Sequence, residues 1–492
     1  MKKVLLFLIA LVLSCFSFAQ TDLEKTFESF KANSESKFAS FEQEQQKKFD
    51  EFRRKVNQDF ARMLGEKWEE EEQKEAIPVP KLPEPIKPIE KKKDTPKPET
   101  KQIEIKEIKQ VPEKHETPQP IVPIVKQENV EMEQFSFDFY GTNCKVDWQD
   151  DMKFSLSSVN EPSVAEAWKL LSTQKYDGLI ADCLNIRERL ELCDWAYIEL
   201  LDKMAKGVLG ENSQNEIVVL KMFLLTQSGY KIRIAKCNST LTLLMPAKEE
   251  IYGYSYLEFD NQRFYVLNKK LRGSFEVFKL EFPEEKLLSM QMNQLPKISE
   301  NKSEKKTFAS KRYENVKVSV APNTNLMDFY TEYPHSDWNY YSQASLSSSV
   351  KRDLYPVLKS IIEGETQIEA ANILINFVQT AFEYKTDDEQ FGYERTLFGD
   401  ELFHYPYSDC EDRSVLFSIL VRDLLGLDVV LLHYPGHLAT AVNFTEQAEG
   451  SFMTIDNKMY FICDPTYIGA NVGEVMPQFG NVPAEIIRIA KR

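Results

Sequence analysis

Residues 407–426 read YSDCEDRSVLFSILVRDLLG, and this stretch decides the fold of the C-terminal part. Apolar residues recur at helical spacing from Val415 to Leu424, so the pattern predicts a helix with one buried face. Gly426 follows the last turn and is the residue type that commonly ends helices. Cys410 therefore stands in the first turn of a buried helix, where unpaired N–H groups and the helix dipole favour a thiolate.

Strand-like runs follow this helix and carry two further polar residues. His437 begins the second run, and Asp464 follows the third run at Tyr460–Cys463. An imidazole can deprotonate a thiol, and a carboxylate can fix the tautomer of the imidazole and support its positive form. Cys410, His437 and Asp464 are thus candidates for nucleophile, base and orienting acid. The bare spacing is unspecific, and a core cysteine, a strand histidine and a turn-forming aspartate are the structural alternatives.

The acidic neighbours of the cysteine act against this chemistry. Asp409, Glu411 and Asp412 flank Cys410, and like charges disfavour a thiolate. Arg413 offsets only part of this effect. Formation of a thiolate would therefore require the imidazole of His437, although His433 in the preceding strand is a rival base.

This segment resembles the transglutaminase-like superfamily, which shares the papain-type architecture of cysteine enzymes. The resemblance rests on Cys410 opening a buried helix, Gly426 after it, His437 entering a strand and Asp464-Pro465-Thr466 after the next strand. It covers residues 365–470, about a fifth of the chain. It implies that Cys410 is the nucleophile, His437 the base and Asp464 the orienting acid.

The chain departs from the family pattern in two places. Ser408 replaces the glycine that commonly stands before the aspartate and cysteine, and no tryptophan follows His437 closely. Both departures concern how a substrate is held. An aromatic loop from Phe391 to Tyr407 could wall a peptide groove or simply pack the loop down. The backbone N–H of Cys410 is a candidate oxyanion donor, with Gln390 or Tyr405 as a second.

A possible second copy of this pattern precedes the first. A shift of 197 residues (410 minus 213) places Ser213 on Cys410, Gly229 on Gly426 and Thr240 on His437. The sequence therefore predicts a degenerate transglutaminase-like module around residues 160–270 that has lost its triad. The alternative is that any helix–glycine–strand unit would match equally well.

The first residues have the pattern of an export signal. Lys2 and Lys3 precede the apolar run Val4–Leu13, and Ser17-Phe18-Ala19 fits a small-x-small cleavage site. We expect residues 1–19 to be removed and the protein to reach the periplasm or the cell envelope or surface. Lipoprotein anchoring through Cys15 is the less favoured alternative.

A phenylalanine repeat of eleven residues follows, over residues 20–75. Its two series are Phe27, Phe38, Phe49, Phe60 and Phe30, Phe41, Phe52, Met63. Eleven residues span three turns of a helix, so both series fall on one narrow stripe. A coiled coil that self-associates through residues 21–72 is expected. A partner helix from another protein and a lipid surface are the alternatives.

The next segment, residues 76–131, holds 11 of the 23 prolines of the chain among many Lys and Glu residues. Such a composition cannot bury a core and predicts a disordered, extended spacer. At about 3.1 Å per residue its reach is on the order of 150 Å. A proline-motif ligand for a partner is the minority interpretation.

The remaining chain predicts an α+β fold. We expect an α+β module at 132–296, a loop with a connecting strand at 297–325, and the transglutaminase-like domain at 326–492. A net charge of −16 argues against a nucleic-acid-binding protein, which normally carries a basic surface. No internal run of about 18 apolar residues is present, so no integral membrane span is expected after signal cleavage.

Two functions of different classes fit these features. The first is an exported cysteine-nucleophile acyl-transfer enzyme that acts on peptide or protein carboxamides, by hydrolysis rather than cross-linking. The second is a non-catalytic envelope assembly or binding protein that oligomerises through its N-terminal helix. A metal site at Cys410, His437 and Asp464 lacks a fourth ligand nearby, so neither metal nor cofactor is predicted.

Overall fold

The computed structural model describes residues 31–490, apart from residues 32, 35, 36, 39, 42, 83–86, 93–99, 112–114, 123 and 125–133. The expected signal peptide, Cys15 and the first two phenylalanines of the repeat lie outside the described residues. The chain divides into two compact units, Met1–Met63 and Leu64–Arg492. Both predicted folded modules belong to the second unit.

The phenylalanine repeat lies on a helix, α1. Residues 43–64 are helical without a break, and the described residues between 31 and 41 are helical too. Four phenylalanines of the stripe are exposed, whereas Phe60 is buried. The exposed four are Phe38, Phe41, Phe49 and Phe52.

The predicted extension of this helix to residue 75 is wrong. The helix ends at residue 64, directly before Gly65, and Glu69–Glu72 forms strand β1. This strand pairs antiparallel with Ser274–Phe278, and Lys279 holds the carboxylates of Glu69 and Glu71 at 2.7 and 2.5 Å. Pairing with a distant strand thus overrides the local helical preference of four consecutive glutamates.

The described residues in the rest of the N-terminal half form short strands, a hairpin, four α-helices and a sheet. The proline-rich segment contains β2 (Ile89–Glu90), β3 (Lys101–Gln102) and β4 (Ile105–Lys109). The hairpin is β5 (Gln134–Phe139) and β6 (Thr142–Asp147). The helices are α2 (Glu161–Thr173), α3 (Asp177–Arg189), α4 (Asp194–Leu209) and α5 (Gln214–Gln227). The sheet strands are β7 (Arg233–Cys237), β8 (Thr240–Met245), β9 (Tyr256–Phe259), β10 (Gln262–Val266) and β11 (Ser274–Phe278).

The C-terminal half begins after a two-stranded hairpin, β12 (Lys306–Ala309) and β13 (Lys317–Val320). The expectation of a loop with one connecting strand at 297–325 is therefore wrong at β12, which pairs antiparallel with the second strand of this region, β13. The next elements are α6 (Thr324–Glu332), α7 (Trp338–Gln343), α8 (Ser348–Ile362), α9 (Gln367–Ala381), β14 (Glu383–Tyr384), α10 (Asp387–Gln390), β15 (Tyr407–Ser408) and α11 (Cys410–Leu425). The final strands are β16 (Asp428–Tyr434), β17 (His437–Asn443), β18 (Ser451–Ile455), β19 (Lys458–Cys463), β20 (Tyr467–Ile468) and β21 (Ala484–Arg488).

The two main sheets share the order of five strands, whereas their outer strands differ, because β1 pairs antiparallel with β11 and β4 pairs in parallel with β21. One sheet runs β9-β10-β8-β7-β11-β1, and the other runs β3-β18-β19-β17-β16-β21-β4. In each, a long buried helix, α5 or α11, precedes the first hairpin. The tight turns Asp260-Asn261 and Asp456-Asn457 occupy equivalent places and all four residues have positive φ. The second unit is therefore a mixed α+β structure built from two halves of matching topology.

The proline-rich segment is not a plain spacer where it is described. β2 pairs with β20, β3 with β18 and β4 with β21, all in parallel. Leu82, Ile103 and Val122 are buried. The expectation of a disordered linker is thus wrong for these parts, because exposed sheet edges of the C-terminal half bind the segment through backbone hydrogen bonds.

Among the described residues, no helix is both long and apolar enough to cross a bilayer.

Candidate functional site

The N-terminus of α11 positions the candidate nucleophile. Asp409 caps the helix, and its side chain and that of Asp412 form a reciprocal capping box. Cys410 is the first helical residue and is completely buried. Gly426 ends the helix at φ +67°, as its position in the sequence predicts.

His437 and Asp464 form a buried pair. His437 is the first residue of β17, and Asp464 directly follows β19, the neighbouring strand. Nε2 of His437 lies 2.8 Å from Oδ2 of Asp464. The opposite ring nitrogen, Nδ1, is buried and has no hydrogen-bond partner. The ring of Phe479 stacks on the imidazole at 5.3 Å with an interplanar angle of 6°, which fixes the plane of the ring.

The loop that carries Asp464 is held by backbone hydrogen bonds. Oδ1 of Asp464 accepts hydrogen bonds from the N–H groups of Thr466 at 2.8 Å and Tyr467 at 3.2 Å. Gln379 on α9 donates through Nε2 to the carbonyl oxygens of Asp464, Tyr467 and Ala470, at 3.0, 2.7 and 3.2 Å. Gln379 therefore positions the acid. Sequence reasoning missed it, because a glutamine in a helix carries no signal of such a role.

The start of α11 meets the start of β17. Ser414 Oγ donates to the carbonyl oxygen of Leu438 at 2.9 Å, and the backbone N–H of Leu438 faces the Cys410 thiol. The thiol itself donates to Oε2 of Glu411 at 3.0 Å. The structure thus joins His437 to Asp464 and brings the cysteine to the strand of His437, but no hydrogen bond connects the thiol with the imidazole.

Buried carboxyl groups surround the cysteine. Burial, followed by the charges of Glu411 and Asp409, raises the pKa of the Cys410 thiol well above its ordinary value. Burial and neighbouring carboxylates also raise the pKa of Asp387 to about 9 and that of Asp412 to about 7. The same causes raise the pKa of Asp409 well above its usual range. The thiol is therefore protonated in this arrangement, in agreement with the effect expected from its acidic neighbours.

Carboxyl oxygens of Asp387, Asp409 and Glu411 lie within 4.8 Å of one another. Oxygen ligands at this spacing are the kind that hard divalent cations prefer. Among the described residues, these three carboxyl groups lie close enough together to share one ion, whereas Cys410, His437 and Asp464 do not form such a group. Sequence reasoning missed Asp387, although the capping box of Thr386 and Glu389 marks a helix start there.

No family model, curated protein or solved structure matches this chain. The transglutaminase-like resemblance therefore rests on the residues of the chain itself.

The alternative residues named from the sequence occupy other surroundings. His433 pairs through Nδ1 with Glu485 at 2.9 Å. Tyr405 packs against Phe391, with Arg395 over both rings. This part of the aromatic loop thus packs on itself. The second candidate oxyanion donor, Gln390, has a buried Oε1 without a hydrogen-bond partner.

The equivalent place in the N-terminal half carries no triad. Ser213 directly precedes α5, and its Oγ donates to the carbonyl oxygen of Leu209 at 2.9 Å. Thr240 begins β8, as His437 begins β17. Leu267 directly follows β10, as Asp464 directly follows β19. A serine, a threonine and a leucine supply neither a base nor an ionised acid.

Proposed function

We propose that this chain is an exported cysteine acyl-transfer enzyme that hydrolyses peptide or protein carboxamides. The observation that carries this proposal is the buried His437–Asp464 pair, 2.8 Å apart, with Nδ1 unpartnered. An acceptor on Nε2 holds the ring hydrogen there and leaves the lone pair on Nδ1. That nitrogen can then accept a proton from a thiol.

The reaction follows from these groups. Nδ1 of His437 takes the proton of Cys410, and the thiolate attacks the carbonyl carbon of the substrate. The carbon–nitrogen bond breaks, the amine leaves with the proton from the imidazolium, and a thioester remains on Cys410. Water then gives a proton to Nδ1 and attacks the thioester, which releases the acid and restores the thiol. In this proposal the backbone N–H of Cys410 stabilises the oxyanion, since the first N–H groups of a helix have no intrahelical partner.

The resting thiol must change partners before it reacts. It donates to Glu411 in this structure, and its raised pKa keeps it protonated. The first step of the proposed cycle is therefore the exchange of Glu411 for Nδ1 of His437. Because a neutral thiol moves, this exchange requires no buried charge to be created beforehand.

Release of amines from a library of peptide amides, with mass spectrometry of the cysteine peptides, tests the proposal. Cys410→Ser and His437→Ala should abolish release, and an acyl adduct should accumulate on Cys410 of the parent protein at early times. Cys463→Ser is the matched control, since Cys463 is also completely buried and stands next to Asp464. If Cys410→Ser releases amine as fast as Cys463→Ser, the enzyme proposal is wrong.

The exposed phenylalanines of α1 favour the second function, a non-catalytic assembly protein. Four aromatic side chains on one stripe are unusual on a free surface and are typical of an association face. In that case Cys410→Ser would leave partner binding intact, while substitutions on the stripe would abolish it.

A further inference from the structure

Part of the proline-rich segment lies at the candidate site. Leu82 is 1% exposed and belongs to the same buried apolar cluster as Cys410 and Leu438. The other members of this cluster are Trp338, Leu431, Ile487 and Ile489. A leucine from a segment distant in sequence therefore fills apolar space in the cluster that contains Cys410.

The preceding residue, Lys81, is bound by acidic side chains. Its Nζ forms ion pairs with Asp388 and, at 3.4 Å, with Oε1 of Glu394. Asp388 follows Asp387 of the buried carboxyl group, and the charge of Glu411 acts on Glu394. The lysine thus lies at the edge of the same acidic surroundings that contain Cys410.

Backbone hydrogen bonds hold the segment on both sides of these residues. The carbonyl oxygen of Ile77 accepts from Gly253 N–H at 2.8 Å in the N-terminal half. Ile89–Glu90 pairs in parallel with Tyr467–Ile468, which follow Asp464. Lys91 Nζ also binds Glu474 at 2.5 Å. The described parts therefore run from the N-terminal half, past the cysteine, to the loop that carries the acid.

We propose that Lys81 and Leu82 occupy the ligand-binding surface of the candidate site in cis. The same surface takes extended peptide segments in which a basic residue precedes an aliphatic one. The side chains around Lys81 and Leu82 define this class, since two carboxylates bind the basic residue and apolar side chains surround the aliphatic one. The inference rests on the proposed function for its catalytic meaning, but binding at this surface requires no turnover.

The alkylation rate of Cys410 in the full chain, measured by mass spectrometry, tests the proposal without an activity assay. Leu82→Asp should raise this rate at least tenfold, because a charged aspartate cannot remain in the buried apolar cluster that Leu82 occupies. Ile103→Asp is the matched control. Ile103 is a buried aliphatic residue of the same proline-rich segment, but it packs in a cluster that does not contain Cys410. Cys463 in the same protein reports general unfolding.

A second variant keeps the test valid if Leu82→Asp unfolds the protein. Lys81→Glu changes a side chain that is half exposed, so the fold should persist, yet it places a negative charge beside Asp388 and Glu394. We expect a rise of several-fold in the Cys410 rate, with Cys463 unchanged. Equal rates in the parent protein and Lys81→Glu, or an equal rise in Ile103→Asp, would overturn the proposal.

Synthetic peptides then test the ligand class on whichever of the two variants exposes Cys410. A peptide with a central Lys-Leu pair should slow alkylation, whereas the same peptide with Glu-Leu or Lys-Asp should not. Equal protection by all three would overturn the assigned specificity. A variant that exposes Cys410 but hydrolyses nothing would contradict the proposed function alone. If the parent protein hydrolyses amides but the alkylation rate of Cys410 is the same in every variant, the proposed function stands and this inference is wrong.

Discussion

Nε2 of His437 lies 2.8 Å from Oδ2 of Asp464, and Nδ1 of the same ring is buried without a hydrogen-bond partner. This relationship sets the tautomer of the imidazole and leaves one basic nitrogen available. A histidine that served only to fill the core would be expected to use both nitrogens, since an unpaired buried polar atom costs free energy. The free nitrogen is therefore the feature of the site that most needs a functional explanation.

Asp464→Asn should lower the hydrolysis rate by on the order of 10³-fold, because the amide no longer supports the imidazolium. The loop should keep its shape, since the amide oxygen can still accept from Thr466 and Tyr467. Glu485→Gln is the matched control, because it changes the carboxylate partner of the other strand histidine, His433. Steady-state kinetics of both variants provide the measurement, and equal effects would count against a catalytic pair.

The buried carboxyl groups predict a stability that falls as pH rises. The pKa of Asp387 is about 9 and that of Asp412 about 7, above the ordinary value of 3.8, so the folded state holds these protons more tightly than the unfolded state. Their contribution is fully present below the ordinary pKa and is lost as pH rises through the two folded values. Urea midpoints should therefore decline from about pH 5 to about pH 9.

Asp387→Asn should make this decline shallower and stabilise the protein at the alkaline end of the range. The neighbouring Asp388→Asn is the control, since the Asp388 side chain is 57% exposed and should leave the slope unchanged. A midpoint that rises with pH in the parent protein would show that these carboxyl groups ionise freely in the folded state.

Gln379→Leu should destabilise the second unit by about 1–3 kcal/mol and lower the rate of catalysis, because the buried side-chain donor shared by three carbonyl oxygens is lost. The control is Gln367→Leu on the same helix, where the side chain bonds Thr445 in an exposed setting. Thermal unfolding and kcat should be measured together. A stability loss without any change in kcat would make Gln379 a purely structural residue.

Gly229→Ala should release the proline-rich segment. A Cβ at Gly229 would lie 2.0 Å from the carbonyl oxygen of Gln119, and the backbone φ is +89°. Gly426→Ala is matched, because Gly426 also ends a long helix at positive φ, but its Cβ would meet open space. Both substitutions should destabilise the protein by about 1 kcal/mol, because alanine is strained in the left-handed conformation. Only Gly229→Ala should accelerate proteolysis of the proline-rich segment. Equal proteolysis of the two variants would contradict the docking of the segment at Gly229.

Replacing Phe41 and Phe52 with serine should weaken self-association of the full chain in sedimentation experiments. Their side chains are 58% and 50% exposed on α1, so the substitutions should leave the helix itself intact. Leu280→Ser removes a comparably exposed apolar side chain outside the stripe and should leave association unchanged. If the chain is monomeric both before and after the substitutions, the prediction that the stripe is a self-association surface is wrong.

The local patterns around the site were readable because they depend on short-range rules. The capped helix start at Asp409, the glycine at 426 and the two strands around the turn at 435–436 follow from periodicity and from backbone preferences. The possible copy was visible for the same reason, since it repeats the helix–glycine–strand pattern that begins at Ser213. The equivalent strand order of the two sheets depends on pairing between distant strands and became visible only in the structure.

The sequence by itself determined the helix that carries Cys410, the strand that begins at His437 and the position of Asp464 directly after a strand. The tertiary structure decided which partner each side chain takes: Asp464 for His437, Glu411 for the thiol, and Leu82 and Lys81 for the surroundings of the site. Helical and strand periodicity is a local property of the backbone, whereas the packing of Leu82 into the cluster of Cys410 depends on the sheet edges that bind the proline-rich segment. Composition alone predicts a solvated spacer there, because it contains no information about those edges.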